Sequence, residues 1–141
     1  MLTQLSVFVE NKFGRLAAIT DILKANDVDI SALSLADTSD FGILRLIVDK
    51  PELAKEVLRE AGIMVKSNHV IAAAMDDKPG GLAYLLRLLT DAHVSIEYMY
   101  AFMGKEDDKA FTVIRADDNE KAAKVFADHG VKMLEQITDQ I

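Results

Sequence analysis

The chain has 141 residues, half of them apolar and 28% charged, which permits one domain or two small ones with a real core and argues against disorder. Its net charge of −7, with Lys and Arg scattered singly, argues against a phosphate backbone as partner, so no nucleic acid is expected. With no cysteine there can be no disulfide, cysteine-ligated zinc, iron–sulfur cluster or thiol nucleophile.

In chain order, Leu5, Val7 and Val9 alternate as one face of a strand that opens close to Met1. No basic region or long apolar stretch precedes it, so no signal peptide or membrane span is expected, and a cytoplasmic protein is the default. The turn Asn11-Lys12-Phe13-Gly14-Arg15-Leu16 follows, with Asn11 a candidate N-cap, and leads into a helix to about Asn26 buried through Leu16, Ile19 and Leu23. Val28 to Ala36 and Gly42 to Val48 read as a hairpin across the polar turn Asp37-Thr38-Ser39-Asp40. Asp49-Lys50-Pro51-Glu52 starts a second helix, Asp49 placed to cap it, and Gly62 ends it as a C′ glycine. Ile63 to Val65 is a short last strand.

The second half repeats this plan. A strand from His69 to Met75 meets the turn Asp77-Lys78-Pro79-Gly80-Gly81-Leu82, and a helix runs from Pro79 to Ala92. A hairpin of Val94 to Met103 and Lys109 to Ala116 follows, then a helix over Asn119 to Asp128 and a strand over Val131 to Glu135. Lys12/Lys78, Gly14/Gly80, Leu16/Leu82, Leu23/Leu89, Val28/Val94 and Ile30/Ile96 match at a step of 66, and Asp49/Asp117 and Gly62/Gly130 at 68. The two-residue slip falls on the second hairpin loop, Gly104 to Asp108, where a duplicated fold tolerates it. The expectation is an α+β chain of two tandem ferredoxin-like (βαββαβ) repeats, residues 1–67 and 68–141, with antiparallel sheets and helices on one face.

Strand, Asn/Asp-Lys-Phe/Pro-Gly-x-Leu, helix, and then Asp27-Val28-Asp29-Ile30 or His93-Val94-Ser95-Ile96 resembles the ACT domain, twice over nearly the whole chain. Phe13 replaces the usual proline in the first copy. Asp27 and His93 stand where the family usually has glycine, and Asp29 and Ser95 where it has asparagine, so the two halves are not expected to bind alike. The resemblance implies a regulatory module that binds an amino acid or similar small ligand and acts on a separate metabolic enzyme. In that family the ligand lies between two domains paired side by side, held by the first turn of one and the start of the second strand of the other. Carried over residue by residue, this implicates Asn11, Phe13, Gly14, Arg15 and Leu16 with Asp29 and Ile30. In the second half it implicates Asp77, Pro79, Gly80, Gly81 and Leu82 with Ser95 and Ile96.

The chemistry is coherent. Free N–H groups at a helix start suit an α-carboxylate, and a side-chain oxygen of Asn11, Asp29 or Asp77 suits an α-ammonium. Asn11 and Asp77 can equally be plain N-caps, and the glycines plain turn residues. His69, His93 and His129 have no metal-ligand spacing, Asp107-Asp108 and Asp117-Asp118 read as turn and helix-start carboxylates, and no catalytic constellation or cofactor motif is apparent. Tyr98, Tyr100 and Phe102 share one strand parity, as packing or, if exposed, as an interface. A homodimer is expected, because two halves still leave sheet edges to cover. The alternative is a protein-interaction module without a working ligand site.

Overall fold

Alternation along β1 (Leu2–Glu10) puts Leu5, Val7 and Val9 on one face, and Ile19 and Leu23 of α1 (Arg15–Ala25) cover them. The computed structural model describes residues 1–37, 40–104 and 109–136, with six strands and four helices among them. After α1 come the hairpin β2 (Ile30–Asp37) and β3 (Phe41–Val48), α2 (Pro51–Glu60) and β4 (Val65–Asp76). The second round is α3 (Gly81–Asp91), β5 (Ile96–Met103), β6 (Lys109–Ala116) and α4 (Asn119–Asp128). None of the described helices is long and apolar enough to cross a membrane.

Contacts divide the chain into one unit of Thr3–Asn68 and another of Met1–Leu2 with the residues from His69 onward. In the first, β2, β3 and β1 pair antiparallel and the opening residues of β4 lie beside β1. In the second, β4, β6 and β5 pair antiparallel, and Met133 bridges to Ala73 on the other side of β4. Both hairpins carry a register break at the same place, between Ile30 and Ala32 and between Ile96 and Tyr98.

The two cores correspond position by position. Leu5, Ile19, Leu23, Leu46 and Ala54 of one unit match Ile71, Leu85, Leu89, Ile114 and Ala122 of the other, all buried. Volume is exchanged within this frame: Leu58 becomes the larger Phe126, while Val7 and Val48 become Ala73 and Ala116. That is how a duplicated core diverges without losing packing density.

All four helices end alike. The N–H groups of Val28, Ile63, Val94 and Val131 return to the carbonyls of Leu23, Leu58, Leu89 and Phe126 at 2.9–3.0 Å. The residue before each is left-handed: Gly62 (φ 80°) and Gly130 (φ 70°), but also Asp27 (φ 55°) and His93 (φ 60°). Asp27 and His93 therefore adopt, at some strain, the backbone that glycine would supply freely.

Several local expectations change. Asn11 and Asp77 are not N-caps: α1 and α3 begin after left-handed Gly14 and Gly80, with no side-chain cap. Asp49 does not cap α2, whose N-cap position is Lys50; its Oδ1 accepts the Asp29 N–H at 2.9 Å instead. The separate strands ending at Val65 and starting at His69 form one strand, β4, because the polar step between them stays extended. The expected last strand over Val131 to Glu135 is reduced to the single Ala73–Met133 bridge, flanked by Ala74 N–H to Lys132 O (2.8 Å) and Leu134 N–H to Ala72 O (3.0 Å). Thr38 and Ser39 of the first hairpin turn, and residues 105–108 with Asp107 and Asp108, lie outside the described residues.

Asp27→Gly and His93→Gly should each stabilise the fold by about 0.5–1 kcal/mol, since relief of left-handed strain outweighs glycine's extra unfolded entropy. His93→Gly should gain more, because histidine lacks the short side chain that eases aspartate into this region. Gly81→Ala should cost about 2–3 kcal/mol, because a Cβ there would stand 2.0 Å from the Asp76 carbonyl oxygen. Urea unfolding midpoints at constant m-value check all three.

Candidate functional site

Each strand-to-helix turn is a type II β-turn. Lys12 accepts at its carbonyl from the Arg15 N–H (3.3 Å), and Lys78 accepts from the Gly81 N–H (3.0 Å). Gly14 (φ 81°, ψ 0°) and Gly80 (φ 91°, ψ −11°) hold the third position, which demands positive φ. Nothing lies near the place a Cβ would occupy on either glycine, so conformation and not close approach requires glycine. Pro79 presets the second position, whereas Phe13 reaches it without that help and stands fully exposed.

The helix starts beyond these turns are electrostatically open. α2 and α4 carry Glu52 and Glu120 in their first turns, and Asp118 caps α4 through the Lys121 N–H at 3.0 Å. α1 and α3 have no acidic residue in the first turn and no side-chain cap. The N–H groups of Arg15 and Gly81 close the turns, and the N–H groups that follow them, with the positive dipole ends, remain available to an anion.

The second group of expected residues is elsewhere. Asp29 exchanges both backbone bonds with Asp49, its N–H to Oδ1 at 2.9 Å and its carbonyl to the Asp49 N–H at 3.1 Å. Ser95 does the same with Asp117, at 3.1 and 3.0 Å. Their exposed side chains are what remains for a ligand, while Ile30 and Ile96 pack against their own cores. Within one repeat the turn and the start of the second strand lie at opposite ends of the first helix, about 16 Å apart for eleven residues. So each repeat gathers Asn11, Phe13, Gly14, Arg15 and Leu16, or Asp77, Pro79, Gly80, Gly81 and Leu82, but not these with Asp29 and Ile30 or Ser95 and Ile96.

Two equivalent cavities flank the turns. In the second unit a cavity of 590 Å³ is bounded by the end of β4, the turn, the start of α3, the start of β6 and the segment after α4. In the first, a cavity of 470 Å³ is bounded by the corresponding parts of β1, α1, β3 and the segment after α2, but not by Lys12, Phe13 or Gly14 of the turn. Ala74, Tyr84, Lys109, His129 and Lys132 of one stand where Phe8, Ala18, Phe41, Ala61 and Met64 stand in the other. A further recess of 100 Å³ in the first unit is lined by Asn11, Arg15, Leu16, Leu35 and Asp37 among others. Sequence reasoning weighed His129 only as a metal ligand and gave Lys109 and Lys132 no site role. The 68-residue step of Gly62/Gly130 aligned them with their counterparts, but only folding brings them beside the turn.

Carboxylates at the ends of β1 and β4 tie down the neighbouring cations. The Lys12 ammonium, 2.9 Å from Glu10, holds that carboxyl below the usual carboxylate range, with Arg15 adding to the effect. Lys109 does so for Asp76 through a direct hydrogen bond, Lys78 contributing from 3.9 Å. Both acids are therefore ionised at neutral pH. Gly81, named from sequence for binding, has a packing reason of its own in its contact with the Asp76 backbone. Tyr98, Tyr100 and Phe102 are half-buried, with Phe102 stacked on Phe111 at 5.4 Å between centroids. Among the described residues no three His, Asp or Glu side chains gather as a metal site.

Comparison with known proteins agrees with this architecture. Protein BT0572 from Bacteroides thetaiotaomicron is 38% identical, with a TM-score of 0.89 over 94% of this chain and 91% of that one. The ligand-free regulatory subunit of aspartate kinase from Thermus thermophilus shares the fold at 15% identity, with a TM-score of 0.65 over 89% of this chain and 91% of that one. The corresponding subunit from Thermus flavus has 14% identity and a TM-score of 0.62, over 89% and 90% of the two chains. No curated protein is detectably similar in sequence. The family model of the ACT domain pair matches residues 1–140, so two tandem ferredoxin-like repeats, each with a glycine turn feeding an uncapped helix, make this chain a member of the ACT domain pair family.

Proposed function

We propose that the chain is a non-catalytic regulatory module, its repeats at 1–67 and 68–141, that binds an amino acid and modulates a separate metabolic enzyme in the cytoplasm. The observation that carries this reading is the contrast between helix starts. α1 and α3, the two behind the glycine turns, lack acidic residues in their first turns, while the first turns of α2 and α4 carry Glu52 and Glu120. An α-carboxylate can take the open N–H groups, and Asn11, Asp77 or Asp29 can accept from an α-ammonium.

Because one repeat cannot bring its turn to its own Asp29 or Ser95, the complete site draws the second set from another repeat, which a homodimer supplies. A ligand held by both partners then favours the paired arrangement by its differential affinity, and this is the coupling a regulatory module needs. Membership of the ACT domain pair family and the fold shared with the aspartate kinase regulatory subunits support the regulatory reading.

A second reading, an interaction module without a ligand, draws on the first repeat, where Phe13, Leu16, Leu33, Leu35 and Phe41 are exposed.

A thermal-shift screen of the twenty amino acids should give one stereospecific hit. A ligand at a hundredfold excess over its Kd adds about 2.7 kcal/mol to stability. Asp29→Ala and Ser95→Ala retain the backbone pairs with Asp49 and Asp117, so they should leave unliganded stability unchanged. At least one should weaken the hit about tenfold or more, as loss of a charged or polar hydrogen bond does. Silence across the set would overturn the amino-acid reading in favour of the interaction module.

A further inference from the structure

We propose that the 590 Å³ cavity of the second repeat binds a small dianion with an apolar body, a dicarboxylate or a phosphate monoester. It shares the turn at Pro79 to Gly81 with the proposed amino-acid site, but it goes beyond that reading because it uses neither Asp29 nor Ser95 and takes its selectivity from three lysines. The argument starts from charge. Among the described residues, Lys78, Lys109 and Lys132 line the cavity against a single carboxylate, Asp76, an excess of two positive charges among them on a protein of net charge −7. Asp76 is occupied by Lys109 and, more distantly, Lys78, while Lys132 has no ion-pair partner among the described residues. The uncompensated N-terminus of α3 adds its positive end to the same wall.

The matching cavity of the first repeat provides an internal control. Phe41 and Met64 stand for Lys109 and Lys132 there, and Arg15 is balanced by Glu10, so its lining is neutral overall. Fold and packing thus need no cations at these positions, since an equivalent repeat is built without them. Gathering like charges around one concavity is unfavourable unless an anion answers them. The remaining lining suits an organic body: Met75, Leu85, Phe111 and Val131 are apolar, and Tyr84 adds an aromatic ring and a hydroxyl. His129 has Nδ1 at 2.8 Å from the Val125 carbonyl, which leaves Nε2 as its available nitrogen.

The test is amide chemical-shift mapping by NMR on the full chain, titrated with succinate, phenyl phosphate and, as uncharged control, succinamide. Succinate or phenyl phosphate should shift residues 76–84 and 129–132 saturably, and whichever responds assigns the anion class. Succinamide should not. Lys132→Met, at an exposed position, should weaken binding by about tenfold, and Lys109→Phe, which copies the first repeat, by at least as much. Asp29→Ala and Ser95→Ala should leave it untouched, so failure of the amino-acid reading and failure of this one are separable. The proposal is overturned if neither anion shifts these amides by about 10 mM, a level at which millimolar affinities saturate. Equal response of residues 10–18 and 61–64, or an unchanged affinity in Lys132→Met, would overturn it too.

Discussion

The left-handed glycine at the end of the first strand of each repeat is the constraint on which the rest depends. Gly14 and Gly80 reverse the chain within a four-residue turn and start a helix with no residue left over to cap it. An ordinary side chain would strain that backbone, and a longer loop would give room for a capping aspartate or serine. Tightness and open N–H groups are therefore one feature with two consequences: it docks the helix on its sheet, and it leaves a positive end facing solvent.

The far ends of the helices use left-handed backbone differently. All four close with the same pair of backbone bonds, yet two do so through glycine and two through Asp27 and His93. These last two precede Asp29 and Ser95, whose main chains are locked by Asp49 and Asp117. The start of each second strand is thus a rigid shelf, presenting a side chain while its backbone is fully engaged. Rigidity of that kind suits a contact that must be positioned before a ligand arrives.

Duplication followed by divergence explains the difference between the repeats. Inside, Phe126 for Leu58 is offset by smaller residues elsewhere, so both cores stay filled. At the cavity positions that differ, Phe41 and Met64 against Lys109 and Lys132, no such compensation is required, because these side chains are exposed. Lys109 and Lys132 could replace Phe41 and Met64 at little cost to the fold. The first repeat is correspondingly apolar on its surface, with Phe13, Leu35 and Phe41 exposed.

Periodicity and the two glycine turns were sufficient to read two βαββαβ repeats from the amino-acid order, including β6 and α4 at their observed bounds. They sufficed because strand alternation, helical stripes and φ-positive glycines are local properties, set within a few residues of chain. Caps were misread for a related reason: Asn11, Asp77 and Asp49 are chemically suited to capping, but Gly14, Gly80 and the Asp29–Asp49 pair take precedence once the strands align. The merging of two expected strands into β4 and the shrinking of the last strand to one bridge likewise depend on neighbours distant in sequence. The cavities are the clearest case. Lys109, His129 and Lys132 carry no motif, and they meet Pro79 and Gly80 only because β6 and the segment after α4 pack beside β4. Local order determined the repeats and their turns. Tertiary packing alone decided which charges face a common space, because that grouping joins residues from segments far apart in the chain.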